Sequence, residues 1–190
     1  DWPVAGELFK EGTYALISER RGYALELEVD FIREAGAMRG WWMSKDQPIV
    51  VVENQKLEDV VAGWPEGNTG VRICDYMNRP HQRWDITAVP EAGGYLGGPW
   101  FKITINGTGR TLTATADKDV IAAPEFTGAD EQLWRIDQLT DGTYRIMPKA
   151  VPGCSEPLCL VSIADCTPTL AAFDFNNDNC KWGFKTVETK

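Results

Sequence analysis

The stretch "HQRWDI", His81–Ile86, returns as "EQLWRI", Glu131–Ile136, and again as "NCKWGF", Asn179–Phe184. Trp84, Trp134 and Trp182 thus recur at intervals of about 50 residues, the signature of a repeated supersecondary unit. In an extended chain alternate side chains share a face, so Trp84 with Ile86, Trp134 with Ile136 and Trp182 with Phe184 each form one apolar pair. Three such pairs can meet around a pseudo-threefold axis, each indole burying on the order of 200 Å². The phrase is therefore read as one core layer in three equal parts.

Each unit also opens alike, on a turn signal followed by aromatic and β-branched residues: "EGTYALI" at Glu11–Ile17, "GGPWFKI" at Gly97–Ile103 and "DGTYRIM" at Asp141–Met147. The opening aromatics are read as Tyr14, Trp100 and Tyr144. The first unit is much the longest, and an insertion of about 30 residues is expected in it. Its place stays open between Phe31–Gly40, Gln55–Gly70, or a division between the two. One domain spans residues 1–190, with repeats at about 8–88, 96–138 and 141–188.

Short alternating runs such as "YALELEV" (Tyr23–Val29), "FKITI" (Phe101–Ile105) and "TLTAT" (Thr111–Thr115) alternate with Gly, Pro, Asn and Asp clusters. The expected fold class is all-β. Only "DFIREAGAM", Asp30–Met38, reads as a helical turn or two, with Asp30 as its N-cap.

Composition narrows the function. A chain of 190 residues with 43% hydrophobic content can bury a core without obligatory disulfides. Nineteen Lys and Arg against 28 Asp and Glu give a net charge of −9, which disfavours nucleic acid, whose phosphates need a basic face. No apolar run is long enough for membrane insertion as a helix. Catalysis is hard to build: His81 is the single histidine, no nucleophile-elbow, zinc-protease or P-loop motif occurs, and acidic pairs such as Glu26 with Glu28 are expected by chance among 28 acids. A binding protein without a cofactor is expected.

Five cysteines, Cys74, Cys154, Cys159, Cys166 and Cys180, include no CxxC pair, so zinc and thioredoxin-like sites are weakly signalled. Among the arrangements five cysteines permit, the local one is expected: Cys154 with Cys159 and Cys166 with Cys180, leaving Cys74 free. Such bonds belong to an oxidising compartment. With a chain that opens on Asp1 rather than Met, they lead us to expect a secreted protein. Asn106-Gly107-Thr108 is both an N-glycosylation sequon and a hairpin turn signal.

Three units of about four strands, each closing on Q-x-W-x-[IF], resemble the β-trefoils of the ricin-B-like superfamily over nearly the whole chain. The third copy departs from them, with Cys180 where the others have Gln82 and Gln132; in the family that Gln ties its loop by hydrogen bonds. The lectin branch implies an Asp, an aromatic and an Asn in each unit. Read onto this chain, the Asp positions are Glu26, Thr113 and Val161, the aromatic positions Cys74, Pro124 and Ala172, and the Asn positions His81, Glu131 and Asn179. No unit keeps the set, so a ricin-type galactose site is not expected.

The "DGTYRI" opener, the "EQLWRI" close, and the segments "SKDQPIVVVE" (Ser44–Glu53) and "DKDVIAAPE" (Asp117–Glu125) also resemble fungal trefoil protease inhibitors, the mycocypin-like proteins. That resemblance implies a rigid frame presenting loops preorganised to block a protease. The loop residues with suitable chemistry are Arg20 and Arg21, for an acidic specificity pocket, Trp64, as an aromatic anchor, and Asn106, which similar inhibitors present to asparagine-specific cysteine proteases. The expected partner is a protease or other protein, bound through those loops; the alternative is a glycan, bound at a non-standard lectin site.

Overall fold

In the computed structural model, residues 9–31, 56–95, 98–163 and 166–187 are described. Twelve strands follow one another: β1 Gly12–Ser18, β2 Tyr23–Leu27, β3 Thr69–Asp75, β4 Trp84–Tyr95, β5 Gly98–Ile105, β6 Thr111–Ala114, β7 Val120–Ala123, β8 Trp134–Gln138, β9 Tyr144–Pro148, β10 Cys159–Ile163, β11 Thr167–Ala171 and β12 Trp182–Thr186. The helical content among the described residues is one short helix, Leu57–Val60, and three 3₁₀ turns at Pro80–Gln82, Asp130–Gln132 and Asp178–Cys180. Each 3₁₀ turn immediately precedes a Trp-bearing strand.

The strand order β12-β9-β8-β5-β4-β1 closes on itself through β12 and β1, making a six-stranded antiparallel barrel. Closure removes the free edges that an open sheet would expose. The hairpins β2–β3, β6–β7 and β10–β11 complete the β-trefoil, one hairpin per repeat. The first two are joined where Thr69 and Gly70 of β3 lie opposite Ala122 and Ile121 of β7.

Threefold equivalence rests on one hydrogen bond made three times. The indole N–H of Trp84 donates to the Leu25 carbonyl at 2.9 Å, that of Trp134 to Leu112 at 3.0 Å, and that of Trp182 to Leu160 at 2.9 Å. All three Trp residues are fully buried in one core cluster that includes Leu16, Ile86, Ile103 and Ile136. A buried indole needs a partner for its N–H, and the carbonyl of the hairpin strand supplies it. Each bond therefore ties a barrel strand to the hairpin of its own repeat.

Opposite each Trp stands the opening aromatic of a barrel strand: Tyr14 faces Trp84, Phe101 faces Trp134, and Tyr144 faces Trp182. The second opener is thus Phe101, one position beyond the Trp100 that the sequence suggests. Trp100 points to the other side of the strand and packs on Tyr95, 4.7 Å between centroids. Phe9 sits among Tyr14, Phe101, Tyr144 and Phe184 at centroid distances of 5.2, 5.8, 5.7 and 4.6 Å, closing this end of the barrel with tilted and edge-on ring contacts.

The inserted segment lies between β2 and β3, where residues 28–68 stand in place of the short connections 115–119 and 164–166 of the other repeats. Residues 32–55, which include most of the predicted Asp30–Met38 helix and the whole of Ser44–Glu53, lie outside the described residues. The two ends of the segment meet, with Phe31 bridged to Val61 and the Ala62 N–H donating to the Asp30 carbonyl at 2.7 Å.

Truncating Trp84, Trp134 or Trp182 to Ala leaves a cavity in the shared core and orphans a Leu carbonyl. Each single variant is expected to lose roughly 3–5 kcal/mol of unfolding free energy in urea titrations, at closely similar cost for all three.

Candidate functional site

The residues at the Asp positions of the ricin-type set, Glu26, Thr113 and Val161, are turned inward. Glu26 on β2 is 3% exposed and accepts hydrogen bonds from Arg72 Nε at 2.7 Å, His81 Nε2 at 3.0 Å and Gln82 Nε2 at 2.9 Å. Because an ionised carboxylate only accepts, the His81 proton lies on Nε2, and Nδ1 is left without a partner in the buried ring. Phe31 packs edge-on against that ring at 4.8 Å. The His81 of the first Trp phrase is thus a packed and bonded residue that holds a buried acid. In the second repeat Thr113 accepts from Gln132 Nε2 at 3.3 Å, and in the third Val161 is buried in a small apolar cluster.

Gln82 and Gln132 do tie their loops. Gln82 Oε1 accepts from the Met77 and Arg79 N–H groups at 2.9 and 3.3 Å, and its amide donates to the Asp75 carbonyl at 2.7 Å. Gln132 repeats this with the Thr127 N–H at 2.7 Å and the Glu125 carbonyl at 3.0 Å. Cys180 takes the equivalent place in the third repeat.

The cysteines are arranged differently from the local pairing read from the sequence. All five are free thiols, and Cys180 lies against Cys159 rather than Cys166, in a buried cluster with Met147 and Val161. Cys166 instead approaches the first repeat, its carbonyl accepting from the Ile73 N–H at 2.8 Å beside Cys74. Cys154 is half-buried, with its sulfur 3.9 Å from the Glu156 carbonyl. Local spacing misled because β10 and the Cys180 turn are joined through the Trp182 bond, which overrides nearness along the chain.

An open cleft of about 820 Å³ lies between the first and second repeats, lined by Glu58, Trp64, Glu66, Asp85, Arg110 and Pro124, among others. Arg110 is its organiser. This side chain is 3% exposed and donates to the Gly67 carbonyl at 2.6 Å, to the Thr69 hydroxyl at 2.5 Å and to the Pro65 carbonyl, pinning the end of the inserted segment against the β5–β6 turn. Its guanidinium lies over the Trp64 ring at 4.6 Å, a cation–π contact that fixes the half-buried indole. Burial pushes the Arg110 pKa down, with Glu58 opposing.

On the facing wall Asp85 accepts from the Thr13 hydroxyl at 2.6 Å and from the Asn106 amide at 3.0 and 3.2 Å. The turn that carries Asn106 is built by Gly107, at φ 80°, a left-handed conformation that suits glycine. Trp64 lines the cleft, whereas Asn106 reaches it only through Asp85, which engages the amide nitrogen that a glycan would take. Arg20 and Arg21 are exposed on the β1–β2 turn, beside Tyr23, Ser162 and Cys166, and line a separate small depression. Arg110 had no sequence signal beyond its place in the "NGTGR" turn. Among the described residues no group of three or more His, Cys, Asp and Glu is placed to hold a metal, and no helix is long and apolar enough to cross a membrane.

The architecture defines a β-trefoil, and comparison with known proteins agrees on the fold. Residues 80–156 match the family described as "Ricin-type beta-trefoil lectin domain-like". No curated protein sequence matches the chain. Among solved structures, a mosquitocidal holotoxin superposes with TM-score 0.62 at 12% identity, covering 95% of this chain and 18% of the toxin. The designed threefold-symmetric protein ThreeFoil gives TM-score 0.60 at 18% identity, covering 93% and 99%. The Polyporus squamosus lectin, solved with the epitope Neu5Acα2-6Galβ1-4GlcNAc, gives 0.57 at 18%, covering 94% and 50%. The chain thus spans half or less of the two natural proteins.

Burial pushes the Glu26 pKa up, but the donors His81, Arg72 and Gln82 together outweigh it and hold it below the ordinary 4.5. A depressed folded pKa contributes stability that is present above the unfolded value and lost as pH falls through the folded one. Unfolding free energy in urea should therefore drop on acidification below about pH 4.5. Glu26→Gln should be roughly 3 kcal/mol less stable than the parent at pH 7, because it strands Arg72 and His81, with the gap narrowing at pH 3.

Proposed function

We propose that the chain is a carbohydrate-binding trefoil whose sugar site is the Trp64 cleft. A pyranose presents an apolar C–H face and a rim of hydroxyls, so its receptor needs a fixed ring to stack on and carboxylate or amide groups that take hydroxyl protons. The single observation that carries this reading is the Trp64 indole, held by Arg110 at 4.6 Å in a cleft faced by Asp85. A ring already immobilised, and a carboxylate already oriented by Thr13 and Asn106, lose little entropy when a ligand arrives.

The family match over residues 80–156 supports a carbohydrate ligand and includes Asp85, Asn106 and Arg110. The same match, with the lectin among the similar structures, favours the glycan alternative over the protease-inhibitor expectation. The site we propose is not the ricin-type one, because Glu26 is consumed internally and Thr113 and Val161 offer no carboxylate. Arg20 and Arg21 line a different depression from the one that Trp64 lines.

A glycan array followed by calorimetry tests the proposal. At least one glycan class should bind, Trp64→Ala should weaken it by 10-fold or more, on the order of 1.4 kcal/mol, and Trp64→Phe should recover part of the loss. Lactose should bind no tighter than about millimolar. An array without hits, or affinity indifferent to Trp64→Ala, would refute the assignment.

A further inference from the structure

The third repeat lacks the glutamine that fastens the other two, and what stands there is a pair of sulfurs. Cys159 and Cys180 are 0% and 2% exposed and share one buried cluster with Met147 and Val161. The Trp182 indole bond to the Leu160 carbonyl fixes β10, which carries Cys159, against the turn that carries Cys180. Gln82 reaches Glu26 and Gln132 reaches Thr113, each the residue after the Leu whose carbonyl takes the Trp N–H. The third-repeat counterpart is Val161, and Cys180 clusters with both Val161 and Cys159, which share one face of β10. The cysteine pair therefore lies beside the place where the fold cross-links hairpin and Trp-bearing turn, one same-face position earlier along the strand.

We infer that Cys159 and Cys180 are a disulfide-forming site that replaces the Gln clamp of the third repeat with a covalent one. The Cys159 thiol donates to the Cys180 sulfur, and with the Asp174 backbone N–H it outweighs burial and draws the Cys180 pKa below its ordinary value, while Cys159 is pushed up. The thiolate is the nucleophile in exchange, and while both cysteines are still accessible either can attack first. With glutathione disulfide as oxidant and Cys180 attacking first, Cys180 takes one of its sulfurs and expels a glutathione thiolate, leaving a mixed disulfide. Cys159, losing its proton to solvent, then attacks the Cys180 sulfur and expels the second glutathione. Two electrons pass from the cysteines to the oxidant. Because both sulfurs are buried in the finished fold, the reaction belongs to folding, before the cluster closes.

Peptide mapping without reduction decides the matter, using the full chain refolded from the reduced, unfolded state in a mixture of reduced and oxidised glutathione and alkylated on quenching. Trypsin leaves Cys154, Cys159, Cys166 and Cys180 on one fragment, because no Lys or Arg lies between Lys149 and Lys181. Added cleavage before Asp165, Asp174 and Asp178 separates Cys166 and Cys180 from the peptide 150–164, and fragmentation between Cys154 and Cys159 in the mass spectrometer assigns the partner within it. The expected product joins peptides 150–164 and 178–181 through Cys159 and Cys180. Adding a reductant should lower the melting temperature of the oxidised parent by roughly 5–10 °C, to that of Cys159→Ser, which should no longer respond to reductant through this pair. Recovery of Cys159 and Cys180 as alkylated thiols, or Cys180 joined to Cys154 or Cys166, overturns the inference. The parent map gives this answer even if the variant fails to fold.

Discussion

Everything in this fold hangs on the indole N–H to leucine carbonyl bond that Trp84, Trp134 and Trp182 each make inside the core. A bilayer of side chains alone would let the hairpins slide over the barrel, since apolar contact is non-directional. A buried N–H that must be satisfied removes that freedom, because leaving it unpaired costs the desolvation of the group. The bond also fixes which face of β2, β6 and β10 meets the Trp strand. It therefore determines that Glu26, Thr113 and Cys159 come into reach of Gln82, Gln132 and Cys180.

The clamps show how one frame accommodates three chemistries. In the first repeat the frame encloses a charged cluster, Glu26 with Arg72 and His81, in which every polar contact must be kept once charge is buried. In the second it encloses a neutral amide-to-hydroxyl bond, and in the third sulfur among apolar groups. The position after each Trp-bonded leucine, Glu26, Thr113 and Val161, is turned inward in all three repeats. Binding, if the fold is to have it, has to come from outside that position, and the inserted segment between β2 and β3 supplies the material: its final turn brings Trp64 to rest on Arg110. Loops on a rigid scaffold tolerate such additions at low entropic cost.

How much of this could be read from the chain follows from the range of each interaction. The three Trp phrases and their spacing are local patterns repeated at a period, and they disclosed the trefoil without help. The Phe101 register did not show itself, because "PWF" offers two adjacent aromatics, and only strand pairing against Trp134 distinguishes the one that faces the axis from Trp100, which packs on Tyr95. The cysteine arrangement was hidden for the same reason at longer range. Cys159 meets Cys180 because it shares a face of β10 with Val161, the counterpart of Glu26 and Thr113, a relation invisible until β10 is laid against the third 3₁₀ turn. Trp64 stood out by its Pro and Gly setting, whereas Arg110 looked like an ordinary hairpin-turn cation.

Arg110 is the residue where fold and site are hardest to separate. A guanidinium 3% exposed would be costly if it did nothing but fill space, and here carbonyls of Pro65 and Gly67, the Thr69 hydroxyl and the Trp64 ring take up its charge. These acceptors all belong to the incoming end of β3, so the side chain acts as a rivet between the inserted segment and the β5–β6 turn. One consequence is that the cleft floor and the trefoil junction share a single fastening. The Trp64 ring is therefore held at the cleft by the same contact that seats the first repeat on the second, and the geometry of the proposed sugar site is set by the junction between repeats and not by a mobile loop tip.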